Sequence, residues 1–398
     1  MKKFWEKLKT ADIRDVGHIF LFLLAIVPAF FMRRKRKDMW LVSEYRMEAR
    51  DNGYWFYRYM RRRHPERDVA YAIDFASPDY ARVRRLGECV NYGTLRHWIY
   101  YLCARVNISS QKSGKPNAAV CYVLEVYGLL KNKRVFLQHG ITKDDAEMFY
   151  YDNTKMRLFI CGAKPEYEFI KEKFGYPEGY VAYTGFPRFD NLLRPDRKTE
   201  RLILAAPTWR RWLYQTSSDP YENRLSHIEH TEYYRKWTGF LESERLRELL
   251  ERYDYKLVFF PHRNMTESFA SGKRISDRVR CATWKDADIQ LLMMKAACMI
   301  TDYSSTAMDF AYMKKPLLYY QFDEAEYREK HFKKGYFDYR EDGFGEVCVE
   351  CGNLMDNLEQ ILENGAQMTP KYLARVEDFF VLRDRDNCKR IYEQIMRL

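Results

Sequence analysis

The sequence predicts an α/β protein of two lobes, each built on a doubly wound parallel sheet and facing a central cleft, with a membrane-associating helical segment in front. Three observations carry that expectation. A length of 398 residues is too long for one ordinary core and about right for two. From Trp40 onward, short β-rich runs alternate with amphipathic stretches, the pattern of parallel sheets covered by helices. Near the N-terminus lies one long apolar stretch flanked by cations. The apolar fraction of 46% excludes a disordered chain, because it supplies enough surface to offset the entropy of ordering the backbone.

Residues 1–37 form the first element. Val16 to Met32 is apolar apart from Gly17 and His18, and as a helix it would extend roughly 25 Å, short of a roughly 30 Å hydrocarbon core. Lys2, Lys3, Lys7 and Lys9 precede it and Arg33-Arg34-Lys35-Arg36-Lys37 follow it. A spanning helix normally carries its positive charge on one side, so an in-plane or re-entrant anchor is expected, kinked at Pro28, with Trp5 and Trp40 at headgroup level. A secretory signal is disfavoured by Glu6, Asp12 and Asp15; a buried core helix is the other rival reading.

The balance of 68 Lys+Arg against 56 Asp+Glu leaves a net charge of +12 and points to an anionic partner. The basic run after the apolar stretch, with Arg61-Arg62-Arg63 soon after, favours a membrane surface over nucleic acid. The nine cysteines are scattered. Cys348 and Cys351 come closest to a metal-binding pair, but no second pair follows, so a reducing compartment is the simple reading. The 16% of aromatic residues is assigned to packing.

The first lobe spans 38–196. Its expected strands are Asp38–Ser43, Asp68–Ile73, Ala119–Tyr122, Arg134–Gln138, Arg157–Cys161 and Tyr180–Thr184, with a helix over Tyr54–Arg63. A polar stretch, Arg194-Pro195-Asp196-Arg197-Lys198, marks the boundary. The second lobe, 197–369, has strands at Leu202–Ala206, Lys256–Phe260, Cys298–Ile300 and Leu317–Tyr320, and helices at Glu242–Tyr253, Ile289–Ala296 and Thr306–Lys314. Residues 370–398 form terminal helices, Pro370–Phe380 and Asn387–Arg397, able to cross back to the first lobe.

In open α/β sheets, ligands bind beyond the carboxyl ends of the strands, so side chains placed directly after a strand carry the most weight. These are His139-Gly140, Pro207-Thr208-Trp209-Arg210, Pro261-His262-Arg263 and Thr301-Asp302-Tyr303-Ser304-Ser305. His139 has a neutral-range pKa and a glycine beside it that admits close approach, which suits a general base; the bland alternative is a ring that merely bonds a backbone carbonyl. His262 beside Arg263 suits phosphate binding or an acid role. The Asp302–Ser305 turn leads into a helix, where N–H groups and hydroxyls could face a pyrophosphate, or where a serine could simply cap the helix with Asp309 in its first turns.

Taken in order, these stretches resemble the CDP-glycerol glycerophosphotransferases, the teichoic-acid primases and polymerases with a GT-B fold of two Rossmann-type lobes. The resemblance runs from Ala49-Arg50-Asp51-Asn52-Gly53-Tyr54 through Phe136–Gly140, Thr184-Gly185-Phe186-Pro187-Arg188-Phe189-Asp190, Ala206–Arg210 and Pro261-His262. It continues with Ile300–Ser305, Lys315-Pro316, Phe322-Asp323, Tyr327 and Gly335-Tyr336-Phe337-Asp338. It implies that an acceptor hydroxyl attacks the β-phosphorus of a CDP-alditol, glycerol or ribitol, and that CMP departs. On the same basis His139 is the base, and His262, Thr208, Arg210, Ser304 and Ser305, with Asp302 and Asp309 beside them, hold the donor. Gly140, Arg188 and Arg263 are further candidate contacts with donor or acceptor.

The implied partners are the CDP-alditol, a lipid-linked or polymeric acceptor of teichoic-acid or capsular type, and the cytoplasmic face of an anionic bacterial membrane, with no nucleic acid. No cofactor is firmly implied, although Asp302 could touch a divalent metal. Where family polymerases often read His-Gly-Thr-Pro-Leu-Lys, this chain has His139-Gly140-Ile141-Thr142-Lys143-Asp144, which leaves the acceptor open. One active site is expected. The alternatives are a GT-B glycosyltransferase using a nucleotide sugar and a non-catalytic binder of anionic surfaces.

Overall fold

The computed structural model describes residues 13–196, 198–213, 228–265, 269 and 275–398; the flanking charges and Trp5 at positions 1–12, and Arg197, lie outside them. The first sheet contains β1 (Trp40–Ser43), β2 (Val69–Ile73), β3 (Cys89–Asn91), β4 (Val106–Ser109), β5 (Lys133–Phe136), β6 (Leu158–Cys161) and β7 (Val181–Tyr183). The second contains β8 (Leu202–Ala205), β9 (Lys256–Phe259), β10 (Val279–Cys281), β11 (Cys298–Thr301), β12 (Leu317–Tyr320) and β13 (Gly345–Cys348). Their orders are β3-β2-β1-β4-β5-β6-β7 and β10-β9-β8-β11-β12-β13, with all pairs parallel. Both orders reverse direction once, at β1/β4 and at β8/β11. A doubly wound sheet opens a ligand crevice at such a point.

The central strands are buried on both faces, which is why β1, β2 and β6 read as near-continuous apolar runs. The segment Ala119–Tyr122, expected as a strand, is instead part of the helix Ala118–Val126. Asn117 caps that helix by accepting from the Val120 N–H, and the central strand of this region is β4, twelve residues earlier in the chain at Val106. A short apolar run fits a strand and a buried helix equally well; the cap decides.

By its contacts the chain forms two compact units: residues 1–141, 147–191 and 382–398 in one, and 142–146 and 192–381 in the other. The change of unit near the expected boundary falls between Asn191 and Leu192. The terminal pair separates, since Pro370–Phe379 stays with the second unit while Asn387–Met396 belongs to the first. There, Asp190 accepts from the Asn387 and Cys388 backbone N–H groups at 3.0 Å each.

The apolar N-terminal stretch is one helix, Ile13–Lys35, with Pro28 inside it. Its 23 residues are long and apolar enough to cross a membrane. One stripe is docked on the first unit: Trp98 Nε1 donates to His18 Nδ1 at 3.1 Å, Phe22 meets the Trp98 ring edge-on, and Ala25 and Ala29 are buried. The remaining faces leave Phe20, Leu24, Val27 and Phe31 exposed. It is therefore not a core helix. Trp40, expected at headgroup level, begins β1 and is buried against Tyr392.

Candidate active site

Each sheet carries candidate residues at its crevice, and the two sets are braced by different partners. In the first unit, β5 delivers Leu137, Gln138 and His139. The imidazole is open to solvent on one side and bonds the Ser110 carbonyl, directly after β4, so it reaches back to the β1/β4 switch point. Dense protein on its other sides, and then the Arg188 charge, lower its pKa to about 4, with the bond to Ser110 acting the other way. The ring is neutral at physiological pH. One nitrogen is engaged with Ser110 and the other is able to take a proton, as a general base requires.

Arg188 is not a free ligand for substrate. Its side chain is buried and donates to Asp51 Oδ1 at 2.8 Å and to the His139 carbonyl at 3.0 Å. Gly140 is buried as well. Asn52 ties the assembly together: its amide donates to the Leu137 and Gln138 carbonyls at 3.2 and 2.7 Å, and its oxygen accepts from the Arg188 N–H at 3.1 Å. Asn52 is held in turn by buried Glu44, which accepts from the backbone N–H groups of Arg50, Asp51 and Tyr54 at the start of the helix Asn52–Arg63. A Cβ on Gly53 would meet Glu44 Cγ at 2.8 Å, so glycine is needed where the helix passes this carboxyl. Sequence reasoning quoted Asn52 in a motif without giving it a role, and passed over Glu44; the signal available was an amide and a glycine together at a helix start.

In the second unit, Thr208 follows β8 and Asp302 follows β11, on either side of the switch point. Asp302 Oδ1 accepts from the Thr208 N–H at 2.8 Å and the Tyr303 N–H at 2.6 Å, and Oδ2 accepts from Arg210 at 2.9 Å. Burial raises the Asp302 pKa, and Arg210 and the Thr208 N–H offset this only in part. Arg210 has no exposed surface. It also donates to Asp323 at 2.6 and 3.0 Å and to the Thr208 carbonyl at 3.1 Å, and lies over the rings of Tyr233, Tyr303 and Tyr327.

In this structure Arg210 and Asp302 make their hydrogen bonds within the protein, where they brace the two strand ends. Burial opposes the Arg210 charge, but Asp302 and Asp323 outweigh it and raise its pKa. Asp309 is likewise buried, in the helix Thr306–Tyr312. No group of three Asp, Glu, His or Cys that could hold a metal ion occurs among the described residues.

The half-exposed groups are Thr208, His262, Arg263, Ser304 and Ser305. His262 Nδ1 accepts from the Asn264 N–H at 3.2 Å, and its ring stacks near Trp209 at 6.1 Å. Arg263 lies over Trp284 at 4.6 Å. Ser304 Oγ accepts from the Thr306 N–H at 3.3 Å and pairs with Thr306 Oγ1, whereas Ser305, at the cap position, makes no capping bond. His331, which sequence reasoning missed, is buried, meets the Trp209 ring edge-on at 4.8 Å and accepts from the Arg211 N–H.

The minor teichoic acid biosynthesis protein GgaB of Bacillus subtilis (strain 168) is 32% identical over 91% of this chain and 40% of its own length. The chain thus spans about two fifths of that relative, and 53% and 54% of two further curated relatives. Among solved structures, the wall teichoic acid polymerase TagF matches with a TM-score of 0.65 at 16% identity, covering 96% of both chains, and shares the fold of two parallel-sheet α/β lobes. UDP-GlcNAc 2-epimerase from Neisseria meningitidis matches at 0.52 with 10% identity, covering 91% of this chain and 100% of that one. The match to the CDP-Glycerol:Poly(glycerophosphate) glycerophosphotransferase family runs over residues 25–397, taking in both sheets and both switch points, and the chain belongs to that family.

Proposed function

We propose that the chain transfers an alditol phosphate, with glycerol phosphate as the first choice, from a CDP-alditol to a hydroxyl of a teichoic-acid-like polymer and releases CMP. The observation that carries this reading is a neutral, solvent-facing His139 held at a switch point in a chain of this family. The acceptor oxygen attacks the β-phosphorus while its proton passes to the His139 nitrogen that does not bond Ser110. The bond between that phosphorus and the bridging oxygen breaks, and CMP leaves with the electron pair. Charge grows on the phosphoryl oxygens and the leaving group, so the reaction needs fixed donors, and at the second unit's own switch point His262 and the Thr208, Ser304 and Ser305 hydroxyls are half-exposed groups of that kind. No cofactor enters this proposal; transfer that is lost on chelation and restored by Mg2+ would add one.

Product analysis with CDP-glycerol, CDP-ribitol and a UDP-sugar, each with a polymer acceptor, tests the reading. CMP is expected. Release of UDP instead favours a nucleotide-sugar enzyme, the second reading, which the fold shared with an epimerase supports. We further propose that the helix Ile13–Lys35 rests in the plane of an anionic membrane on the cytoplasmic side, because its outer faces are apolar and its last turn carries Arg33, Arg34 and Lys35. Co-sedimentation of the full chain with anionic vesicles is expected to fall when Phe20, Leu24 and Val27 are changed together to Ser. Unchanged binding would refute the anchor.

A further inference from the structure

The residue before His139 has an unusual backbone conformation. Gln138 has φ +57°, a left-handed conformation that a long side chain rarely adopts. It sits between a strand and the proposed base. Such a conformation persists only where its surroundings over-determine it, and here they do. The Gln138 amide, buried, donates to the Ile160 carbonyl at 2.6 Å and to Glu166 Oε1 at 3.0 Å. Glu166, with no exposed surface, is fixed in turn by the Gly162 N–H, which donates to Oε2 at 2.6 Å. On the other side, the Gln138 carbonyl accepts from Asn52 at 2.7 Å. The residue is thus gripped at its side chain by the end of β6 and at its backbone by the helix that follows β1.

A relaxed β-region residue here would carry the chain straight on from β5 and turn the next side chain elsewhere. With φ inverted, the backbone reverses locally, and His139 is turned to the Ser110 carbonyl with its free face to solvent. We propose that Gln138, locked by Glu166 and Asn52, is a positioning residue for the transfer, setting the direction in which His139 meets the acceptor. This rests on the reading of His139 as the base. None of the three bracing residues needs to touch substrate.

The test compares Gln138→Asn and Gln138→Gly with the parent full chain. Asparagine and glycine both tolerate the left-handed conformation, but neither reaches Glu166. Both variants should fold, with kcat lowered roughly 10- to 100-fold, KM for CDP-glycerol nearly unchanged, and the acid limb of kcat/KM displaced, because a misdirected base loses rate without losing donor binding. Glu166→Gln, which keeps one oxygen for the Gln138 amide but turns an amide N–H toward the Gly162 N–H, should recover only part of the rate relative to Glu166→Ala. Unchanged kcat in both Gln138 variants overturns the proposal, as does a fall in rate that only tracks loss of folded protein by circular dichroism with the acid limb unmoved. His139→Ala is measured alongside. If it abolishes transfer while the Gln138 variants keep it, positioning alone is overturned; if it retains transfer, the assignment of the base fails and this inference with it.

Discussion

The two switch points both bury charge but partner it differently. In the first unit Arg188 is paired with Asp51, and the buried Glu44 and Glu166 carboxyl groups are engaged by backbone and amide N–H groups, so that one neutral imidazole is left open. In the second, a fully buried guanidinium and two carboxylates fix the strand ends, and the groups left half-exposed are hydroxyls, an imidazole and Arg263. A charge in a motif is therefore not evidence of ligand contact. What matters is whether its hydrogen-bonding capacity is already used within the protein.

The sharpest way to break that contrast is a pair of substitutions. Arg210→Met should cost about 3–5 kcal/mol of stability, since it leaves Asp302 and Asp323 buried without their counter-charge. His139→Ala should cost no more than ~1 kcal/mol of stability, but lower turnover by about 10²–10⁴-fold. Chemical denaturation and steady-state rates measured on both should cross over. An Arg210→Met protein of parental stability would show that the buried cluster is not the brace described.

A second substitution tests how tightly the terminal helix completes the first unit. Gly185 has φ +76°, and a Cβ there would lie 1.8 Å from Asn387 Oδ1. Gly185→Ala should therefore destabilise by roughly 3 kcal/mol, combining a left-handed backbone with overpacking. The readout is early hydrogen exchange in Asn387–Met396. Gly185→Ser exchanging in the same way would be expected on the same grounds, while parental exchange in both would mean the helix is held elsewhere.

The pH dependence comes next in size. The folded pKa of His139 is depressed below its ordinary 6.5, so between the two values the unfolded chain binds more protons. The stability contributed by this group is complete above 6.5 and is lost as pH falls through the folded value. The base stays competent over the same window, so kcat/KM should fall only well below 6.5. Arg188→Gln removes a charge that depresses the imidazole and should move the acid limb upward; a limb already at 6.5 in the parent would place His139 outside the rate-limiting proton transfer.

The sequence places β5, β9 and β11 to within two residues, since the expected runs Arg134–Gln138, Lys256–Phe260 and Cys298–Ile300 overlap Lys133–Phe136, Lys256–Phe259 and Cys298–Thr301. The braces are a different matter. The carboxylates that engage Arg210 lie 92 and 113 positions away, so in sequence Trp209-Arg210-Arg211 looks like a solvated, ligand-seeking run. Likewise, nothing local announces that Gln138 is left-handed, since its conformation is imposed by Glu166 and Asn52, 28 and 86 positions distant. Strand β4 was hidden by competition. Val106–Ser109 is short and half polar, while Ala119–Tyr122 is more apolar but begins behind a capping asparagine. Burial of charge and inversion of φ are tertiary facts, and those are what separate a residue that touches the ligand from one that supports it.

The smallest expected effect on stability gives the cleanest test of contact in the second unit. Ser304 and Ser305 are adjacent and equally half-exposed, yet only Ser304 Oγ meets the Thr306 N–H. Ser304→Ala should lose about 0.5–2 kcal/mol as a capping interaction does. Ser305→Ala removes a hydroxyl with no capping bond and should change stability by no more than ~0.5 kcal/mol. A drop in kcat/KM for Ser305→Ala at parental stability then has no structural route and must come from a lost contact with donor or transition state. Parental kinetics would remove Ser305 from the donor site and leave the Thr208 and Ser304 hydroxyls as the candidates at this switch point.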